Sequence, residues 1–299
     1  METDRIARRR SPMVAELRYA LHLLTLNKLV LVGIGIAVTL TLVAMVGPFF
    51  VPSDTPIKLN FATGEAAQLG NPQISWAHPL GVDTYGRDML NLIILALGLD
   101  MGAAGLVVGI GLLIGVLSGA FAGYIGGKID ELIMRVTDIF LALPLFIWAM
   151  AIAAVLSRNL NSLILALATV SWPGYTRIIR GQVLIEKGKP YVEGLQALGV
   201  SRARILIRHV IPNSIFPLLV QATLDIGGVI LTIAALTFLG LALNPLIPEL
   251  GALVSAGQTY IQINPYLITF PGLAIVLVSL SFNLVGDGLR DILDPRLRR

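Results

Sequence analysis

The chain has no cysteine and little charge. Of its 299 residues, only 13% are Asp, Glu, Lys or Arg, and three are histidine. The lack of cysteine excludes disulfides, thiolate metal sites and cysteine nucleophiles. About a quarter of the residues of a soluble domain are charged. Because 56% of this chain is hydrophobic and its mean hydropathy is +0.82, its composition is that of an integral membrane protein.

Motifs for catalysis are also missing from the sequence. The three histidines, His22, His78 and His209, are far apart in the chain. The sequence contains no H-E-x-x-H or G-x-S-x-G pattern. Neither Gly127-Lys128 nor Gly188-Lys189 is followed by the Ser or Thr of a phosphate-binding loop. We therefore expect a chain that is not an enzyme and that holds no metal or cofactor of its own.

Six segments are apolar enough to cross a bilayer, which takes roughly 20 apolar residues as a helix. They are 29–51, 101–125, 136–157, 159–176, 214–243 and 250–286, the last with room for a re-entrant lead-in. The predicted organisation is an all-α membrane protein with six transmembrane helices. It comprises a tail (1–28), a first helix (29–51), an extracytoplasmic loop (52–90), a five-helix core (91–286) with a loop at 186–213, and a second tail (287–299).

Basic residues predict the orientation of these helices. Nineteen of the 22 Lys and Arg residues fall in the two tails and the loops on the same side, and three fall on the other side. Lys and Arg accumulate on the cytoplasmic side of membrane proteins. Both termini and the 186–213 loop are therefore expected in the cytoplasm.

Glycines recur at every fourth position of the second segment. They are Gly111, Gly115, Gly119 and Gly123. On a helix this spacing makes one smooth ridge, along which another backbone can approach closely. The pattern predicts a tightly packed neighbouring helix.

The 186–213 loop predicts two short helices separated by a glycine. Pro190 suits a first helical position, Glu193 falls in a first turn, and Gly199 suits the left-handed residue that ends a helix. An apolar face is expected from Tyr191, Leu195 and Leu198.

The second short helix would begin at Ser201 as its N-cap and end its register at Pro212. One side would carry apolar residues, and another would carry Arg204 and Arg208. The apolar side consists of Ala203, Leu206, Ile207 and Val210. Physical chemistry alone leaves two alternatives for this loop: a helix pair lying on lipid headgroups, or a docking surface for a partner.

Acidic residues inside apolar segments form a separate set of candidates. Such residues usually face a bundle interior or water. Asp225 lies in the fifth segment, where it either faces a translocation path or bonds a neighbouring helix. Asp100 lies near the outer end of the second span, and Asp83, Arg87 and Asp88 predict a local ion-pair cluster at the start of that span.

The loop resembles the cytoplasmic loop of permease subunits of ABC-type importers. Glu193, Gly199 and Pro212 match its Glu, Gly and Pro positions, whereas the two alanines after Glu are Gly194 and Leu195. His209 and Ile211 also depart from the pattern. Two further stretches are similar to signatures of the dipeptide/oligopeptide/nickel group of these permeases: HPLGVDTYGRD (78–88) and VGDGLRDILDPRLR (285–298). Within that group they resemble the second permease of the pair. GYIGGKIDELIMRVTDIFLALP (123–144) and WPGYTRIIRGQV (172–183) extend the resemblance from about residue 20 to the C-terminus.

This resemblance implies a type I ABC-importer-like permease in the cell membrane. It implies a heterodimer with a second permease, two cytoplasmic ATPase subunits that carry ATP and Mg, and an extracytoplasmic solute-binding protein. Lipid is the surrounding partner, and no nucleic acid is expected. The resemblance assigns ATPase coupling to one set of loop residues: Tyr191, Glu193, Gly194, Ala197, Leu198, Gly199, Ser201, Arg204, Arg208 and Pro212.

Members of this group carry peptides, oligosaccharides or nickel. The low polar content of the segments favours varied cargo such as peptides or sugars over a bare metal ion. A stand-alone secondary transporter is the alternative of a different class, but it predicts an internal repeat that the two halves do not clearly show. A membrane-embedded enzyme is the third alternative, and it lacks a convergent set of catalytic residues.

Overall fold

A computed structural model describes residues 27–52, 74, 76, 78–156, 159–241 and 247–293. These residues form helices and no strand, apart from an isolated bridge between Val82 and Asp88. The long helices are α1 (Lys28–Val46), α2 (Met89–Ile125), α3 (Gly127–Ala142), α4 (Leu145–Val155), α5 (Leu160–Lys187), α9 (Phe216–Phe238) and α11 (Tyr266–Leu293). The short ones are α6 (Pro190–Ala197), α7 (Arg202–Ile205), α8 (Ile211–Ser214) and α10 (Leu250–Gln258).

Four helices in the described ranges are long and apolar enough to cross a membrane: α1 (with the turn after it), α2, α9 and α11. The pair α3–α4 makes a fifth if it counts as one broken span. The expectation of six spans is therefore met only in part. The fourth predicted segment lies in α5, which extends to Lys187 and carries polar residues along its second half. Of the basic residues of the tails, only Lys28, at the start of α1, and Arg290, in the last turn of α11, lie in the described part of the chain.

Helix α2 begins at Met89, twelve residues before the apolar segment 101–125 and two before the predicted start of the core at 91. The Asp88 carboxylate accepts a hydrogen bond from the Asn91 N–H at 2.8 Å and so caps the helix at Met89. Asp100 therefore lies inside the helix, as expected for an acid within this span. Its charge does not end the helix, because its carboxylate has a tertiary hydrogen-bond partner, the backbone N–H of Leu250.

The predicted third span is broken at Pro144. Helices α3 and α4 meet there at an angle of 86°. A residue that precedes proline is pushed out of the helical region, and Leu143 is extended, with φ −107° and ψ 143°. One continuous helix over 136–157 was therefore a wrong expectation.

The glycine ridge of α2 packs against α5, as its spacing predicted. A Cβ atom added at Gly111 would collide with Ser171, one at Gly115 with Tyr175, and one at Gly119 with the backbone of Thr176. At Gly123 it would lie 2.9 Å from the Arg180 carbonyl oxygen. Only glycine permits this approach, so the ridge holds the ends of α2 and α5 together.

A second group of helices packs around α11. This helix contacts α1, α9 and α10, and α9 also packs against α2. Gly240, with φ 91°, ends α9 through a hydrogen bond from its N–H to the Thr237 carbonyl. The predicted sixth segment, 250–286, is divided into α10 and α11, which agrees with the expected lead-in before its helix.

Candidate functional site

The loop between α5 and α9 contains the glycine elbow that the sequence predicted. Gly199 has φ 76° and lies two residues after the end of α6. Its N–H donates to the Gln196 carbonyl at 2.9 Å, and the Val200 N–H donates to the Leu195 carbonyl at 3.1 Å. This is the Schellman pair of hydrogen bonds, which needs a residue that tolerates positive φ. A side chain at Gly199 would be strained, although the space around its Cα is open.

The first short helix, α6, has Pro190 at its start and Glu193 in its first turn, both as expected. Its buried anchor is Val192, which the sequence analysis missed. Of the predicted apolar face, Leu195 packs against the core, but Leu198 is 81% exposed. Leu198 points away because it caps the helix and no longer follows the helical period.

The second short helix differs from its predicted register. Residues Leu206–Val210 form a π-helical turn between α7 and α8. The wider turn brings Ile205 and Val210, five residues apart, onto the same buried face. Of the four residues expected on the apolar side, only Val210 is fully buried, and Ile207 is 67% exposed. The expectation assumed 3.6 residues per turn and was therefore wrong for this side. Ser201 occupies the N-cap position, but its side chain makes no capping hydrogen bond.

All ten residues proposed for coupling are exposed, and all lie in the loop between α5 and α9. We call this set the elbow surface, defined as Tyr191, Glu193, Gly194, Ala197, Leu198, Gly199, Ser201, Arg204, Arg208 and Pro212. Nothing lies within 4 Å of a Cβ added at Gly194 or Gly199. The surface combines an open backbone at the elbow, one apolar side chain at Leu198 and two arginines. A protein partner can therefore approach the backbone itself.

Tyr191 of the predicted set and three residues outside it, Glu186, Lys189 and Asn213, fasten this loop to α5. The Tyr191 hydroxyl donates to the buried Glu186 carboxylate at 2.7 Å, and Lys189 pairs with the same carboxylate at 2.6 Å. Asn213, at the far end of the loop, donates to the Tyr191 hydroxyl at 3.4 Å. Burial and the Glu186 hydrogen bond raise the pKa of Tyr191. The sequence offers no usable signal for Glu186, because an acidic residue five positions before an aromatic one belongs to no known motif.

A further tie joins the loop base to α2. Lys187 donates from Nζ to the Tyr124 carbonyl oxygen at 2.6 Å, and its ammonium lies 5.5 Å from the centre of the Tyr124 ring. Arg180 on α5 makes two hydrogen bonds to Asp130 on α3, at 2.6 and 2.7 Å. Side-chain contacts to α2 and α5 therefore fix the position of the loop that carries the elbow surface.

Asp225 borders a cavity of about 220 Å³ between α3, α4, α5 and α9. The Gln221 amide donates to its carboxylate at 2.8 Å from the same helix. The buried Tyr175 hydroxyl lines the cavity too; it lies near enough to Asp225 to interact electrostatically, but not in hydrogen-bond geometry. Phe140 and Leu145, on either side of the 86° bend, line the opposite wall. Asp225 thus faces a cavity rather than a cationic partner on another described helix.

The ion-pair cluster predicted before α2 is confirmed. Arg87 pairs with Asp83 at 2.6 Å, and both side chains are almost fully buried. Asp88 accepts from His78 at 2.9 Å while it caps α2. These contacts give the cluster a structural role at the start of the helix.

A protein-family model described as "Binding-protein-dependent transport system inner membrane component" matches residues 111–299. This range includes α2 from the first glycine of the ridge, the whole elbow surface and α11.

Three relatives resemble between three quarters and nearly all of the chain. The dipeptide transport system permease protein DppC of Alkalihalophilus pseudofirmus is 37% identical over 95% of this chain and 91% of its own length. The DppC of Haemophilus influenzae is 36% identical, with 91% and 92% covered. The glutathione transport system permease protein GsiD of Pectobacterium atrosepticum is 37% identical over 75% of this chain and 74% of its own length.

Proposed function

The chain belongs to the family of binding-protein-dependent transport system inner membrane components, and on that premise we propose how it works. It is a membrane permease subunit and not an enzyme. In this proposal it forms half of a translocation path for di- and oligopeptides, together with a second homologous permease. A solute-binding protein delivers the substrate from outside. Two ATPase subunits, which bind ATP and Mg, supply the energy from the cytoplasm.

The observation that carries the proposal is the exposed elbow surface. A connection that only joined α5 to α9 would have no need of an open glycine turn braced by Glu186, Tyr191 and Asn213. The bracing makes the loop stiff, and the open backbone at Gly199 lets a partner approach closely. A stiff element transmits a rigid-body motion that a flexible loop would absorb. We therefore assign the elbow surface to contact with an ATPase subunit.

The proposed topology has six spans with both termini in the cytoplasm. It counts α1, α2, the broken pair α3–α4, α5, α9 and α11. The excess of Lys and Arg in the tails and in the loop of the elbow surface supports this orientation. Helix α5 qualifies only as part of the bundle, because its polar second half packs against α2 and α3 instead of lipid.

Peptides are the proposed substrates. This rests on relatives whose names give dipeptides and glutathione as the transported substrates, both of which are peptides. Oligosaccharides and nickel are the alternative cargoes for the same role. Family membership disfavours a stand-alone secondary transporter. In the proposal Asp225 faces the path, because it borders a cavity at the bend between α3 and α4.

Co-purification with the ATPases tests the proposal. The chain is co-expressed with its neighbouring permease and ATPase genes and purified by a tag on this chain. Gly199→Trp should abolish recovery of the ATPases, because the bulky side chain at positive φ blocks the approach. The matched control is Gly188→Trp, at an exposed position of the same loop with φ −81°, which should keep them. Failure of the wild-type chain to recover any ATPase would contradict the proposal.

A further inference from the structure

Two acidic side chains meet in the interior where α10 begins. Asp100, in α2, is 1% exposed, and Glu249, the N-cap of α10, is 3% exposed. Asp100 accepts a hydrogen bond from the Leu250 N–H at 3.0 Å, and Glu249 accepts one from the Ala252 N–H at 2.7 Å. Both carboxyl groups therefore lie at the same helix terminus, with adjacent residues as their partners.

Each carboxyl group also has an oxygen without a partner. Asp100 Oδ1 and Glu249 Oε1 are buried and accept no hydrogen bond from any residue that the structure describes. The Thr237 hydroxyl lies close by on α9 but donates to the Ile233 and Ala234 carbonyls. An unpaired buried carboxylate oxygen costs free energy, so the arrangement lacks a donor shared by both groups.

No basic side chain in the described part of the chain forms an ion pair with either acid. The charged groups just before α2 are engaged with one another, Arg87 with Asp83 and His78 with Asp88. From α11, the Tyr266 hydroxyl donates to the Val82 carbonyl, and α9 presents only Thr237. Two like charges would therefore repel each other in a low-dielectric interior without compensation.

The backbone leaves α10 little freedom to relieve this repulsion. A Cβ at Gly251 would collide with Ala234 and Thr237 on α9, and one at Gly257 would lie 2.9 Å from the Leu267 carbonyl. Helix α10 is thus wedged between α9 and α11. Burial raises the pKa of the Glu249 carboxyl, and the Thr237 hydroxyl with the Gly251 and Ala252 N–H groups offsets only part of that effect.

We propose that Asp100 and Glu249 bind one proton between them and that this shared proton fastens α10 to α2. A proton on either carboxyl supplies the hydrogen-bond donor that the two unpaired oxygens lack. It also leaves one negative charge at the positive end of the α10 dipole, where it is favourable. A divalent metal ion fits less well. The described residues contain no cluster of three His, Cys, Asp or Glu side chains, whereas hard cations take six or more oxygen ligands.

The proton makes the folded chain sensitive to alkaline pH. The folded state holds a proton that the unfolded chain releases at lower pH, so stability is greatest in acid. It falls as the pH rises through the titration of the pair. The two groups titrate as a unit, and the transition belongs to the pair and not to one residue.

Thermal unfolding of the full chain in nanodiscs, from mildly acidic to mildly alkaline pH, tests the proposal. The wild type should lose about 3 °C or more in Tm over this range. Asp100→Asn and Glu249→Gln place a permanent amide donor between the groups and should abolish most of this loss. Asp138→Asn removes an exposed carboxylate (58% exposed) and should leave the pH dependence unchanged. Equal pH dependence in the wild type and both amide variants would overturn the proposal.

Infrared spectroscopy of the folded wild type supplies a test that does not depend on the variants folding. A protonated-carboxyl band should be present near neutral pH, disappear on alkalinisation, and be absent from the double variant Asp100→Asn/Glu249→Gln. Lack of such a band in the wild type would overturn the proposal. So would a Tm at alkaline pH that Na⁺, Mg²⁺ or Ca²⁺ raises in the wild type but not in the amide variants, because the occupant would then be a metal ion.

Discussion

The Tyr191 hydroxyl donates a hydrogen bond of 2.7 Å to the buried carboxylate of Glu186. This contact joins the first residue after the start of α6 to the last turn of α5. Asn213 reaches the same hydroxyl from the other end of the loop. One tyrosine thus ties together both ends of the segment that carries the elbow surface.

Tyr191→Phe should loosen the loop without unfolding the protein. Loss of one hydrogen bond costs about 1 kcal/mol, or about a five-fold change in a local equilibrium. Amide hydrogen exchange in α6 should accelerate by about that factor, and ATPase activity stimulated by the binding protein should fall. Gln196→Ala, an exposed change in the same helix, serves as the control. Unchanged exchange in α6 would show that Tyr191 does not brace the loop.

Part of this loop could be predicted from the sequence, and part could not. Local chemistry identifies Pro190, Glu193 and Gly199, because a helix start, a first turn and a left-handed C-terminal residue each have their own preferences. The π turn at Leu206–Val210 has no such local signal, so the buried face of the second short helix was misassigned.

The same distinction applies to the rest of the fold. The four-residue glycine spacing predicted a close neighbour for α2, and α5 is that neighbour. The spacing did not identify the partner helix, because that depends on which later helix the chain folds back against α2. The position of Asp100 within a span was expected, but its partner was not, because Leu250 lies 150 residues away.

The glycine ridge gives a second prediction. Gly119→Leu should lower the thermal stability of the purified subunit strongly, since overpacking costs about 1–3 kcal/mol even where neighbours can shift. Here the obstacle includes the Thr176 backbone, which cannot rotate away. Gly109→Leu is the matched control on the same helix, because its Cβ would meet nothing within 4 Å. Similar Tm losses in the two variants would contradict the packing assigned to the ridge.

The buried pair Arg87–Asp83 should matter more than an exposed pair of similar length. Asp83→Asn removes the carboxylate charge that pairs with the buried Arg87 and should cost about 3–5 kcal/mol. Glu131→Gln, which breaks the exposed pair with Arg135, should cost less than about 1 kcal/mol. Chemical unfolding of the two variants in the same detergent measures the difference. Equal losses would mean that the Asp83 pair does not hold the start of α2.

Asp225→Asn tests whether this residue faces the translocation path. Loss of the carboxylate should reduce the uptake of labelled dipeptides by the assembled transporter about ten-fold, which corresponds to about 1.4 kcal/mol of binding or barrier free energy. Asp138→Asn, an exposed acid paired with Arg177, should leave uptake unchanged. Wild-type uptake of every tested substrate by Asp225→Asn would remove the residue from the path.

The most direct test of the central claim is a cross-link from the elbow surface. The chain contains no cysteine, so a single new one reports on a single position. Leu198→Cys, at an 81% exposed site, should cross-link to an ATPase subunit in the assembled complex. Val155→Cys, 88% exposed at the far end of α4, should not. A Leu198→Cys chain that assembles with the ATPases but cross-links only to lipid probes would contradict the assignment of the elbow surface as the ATPase contact.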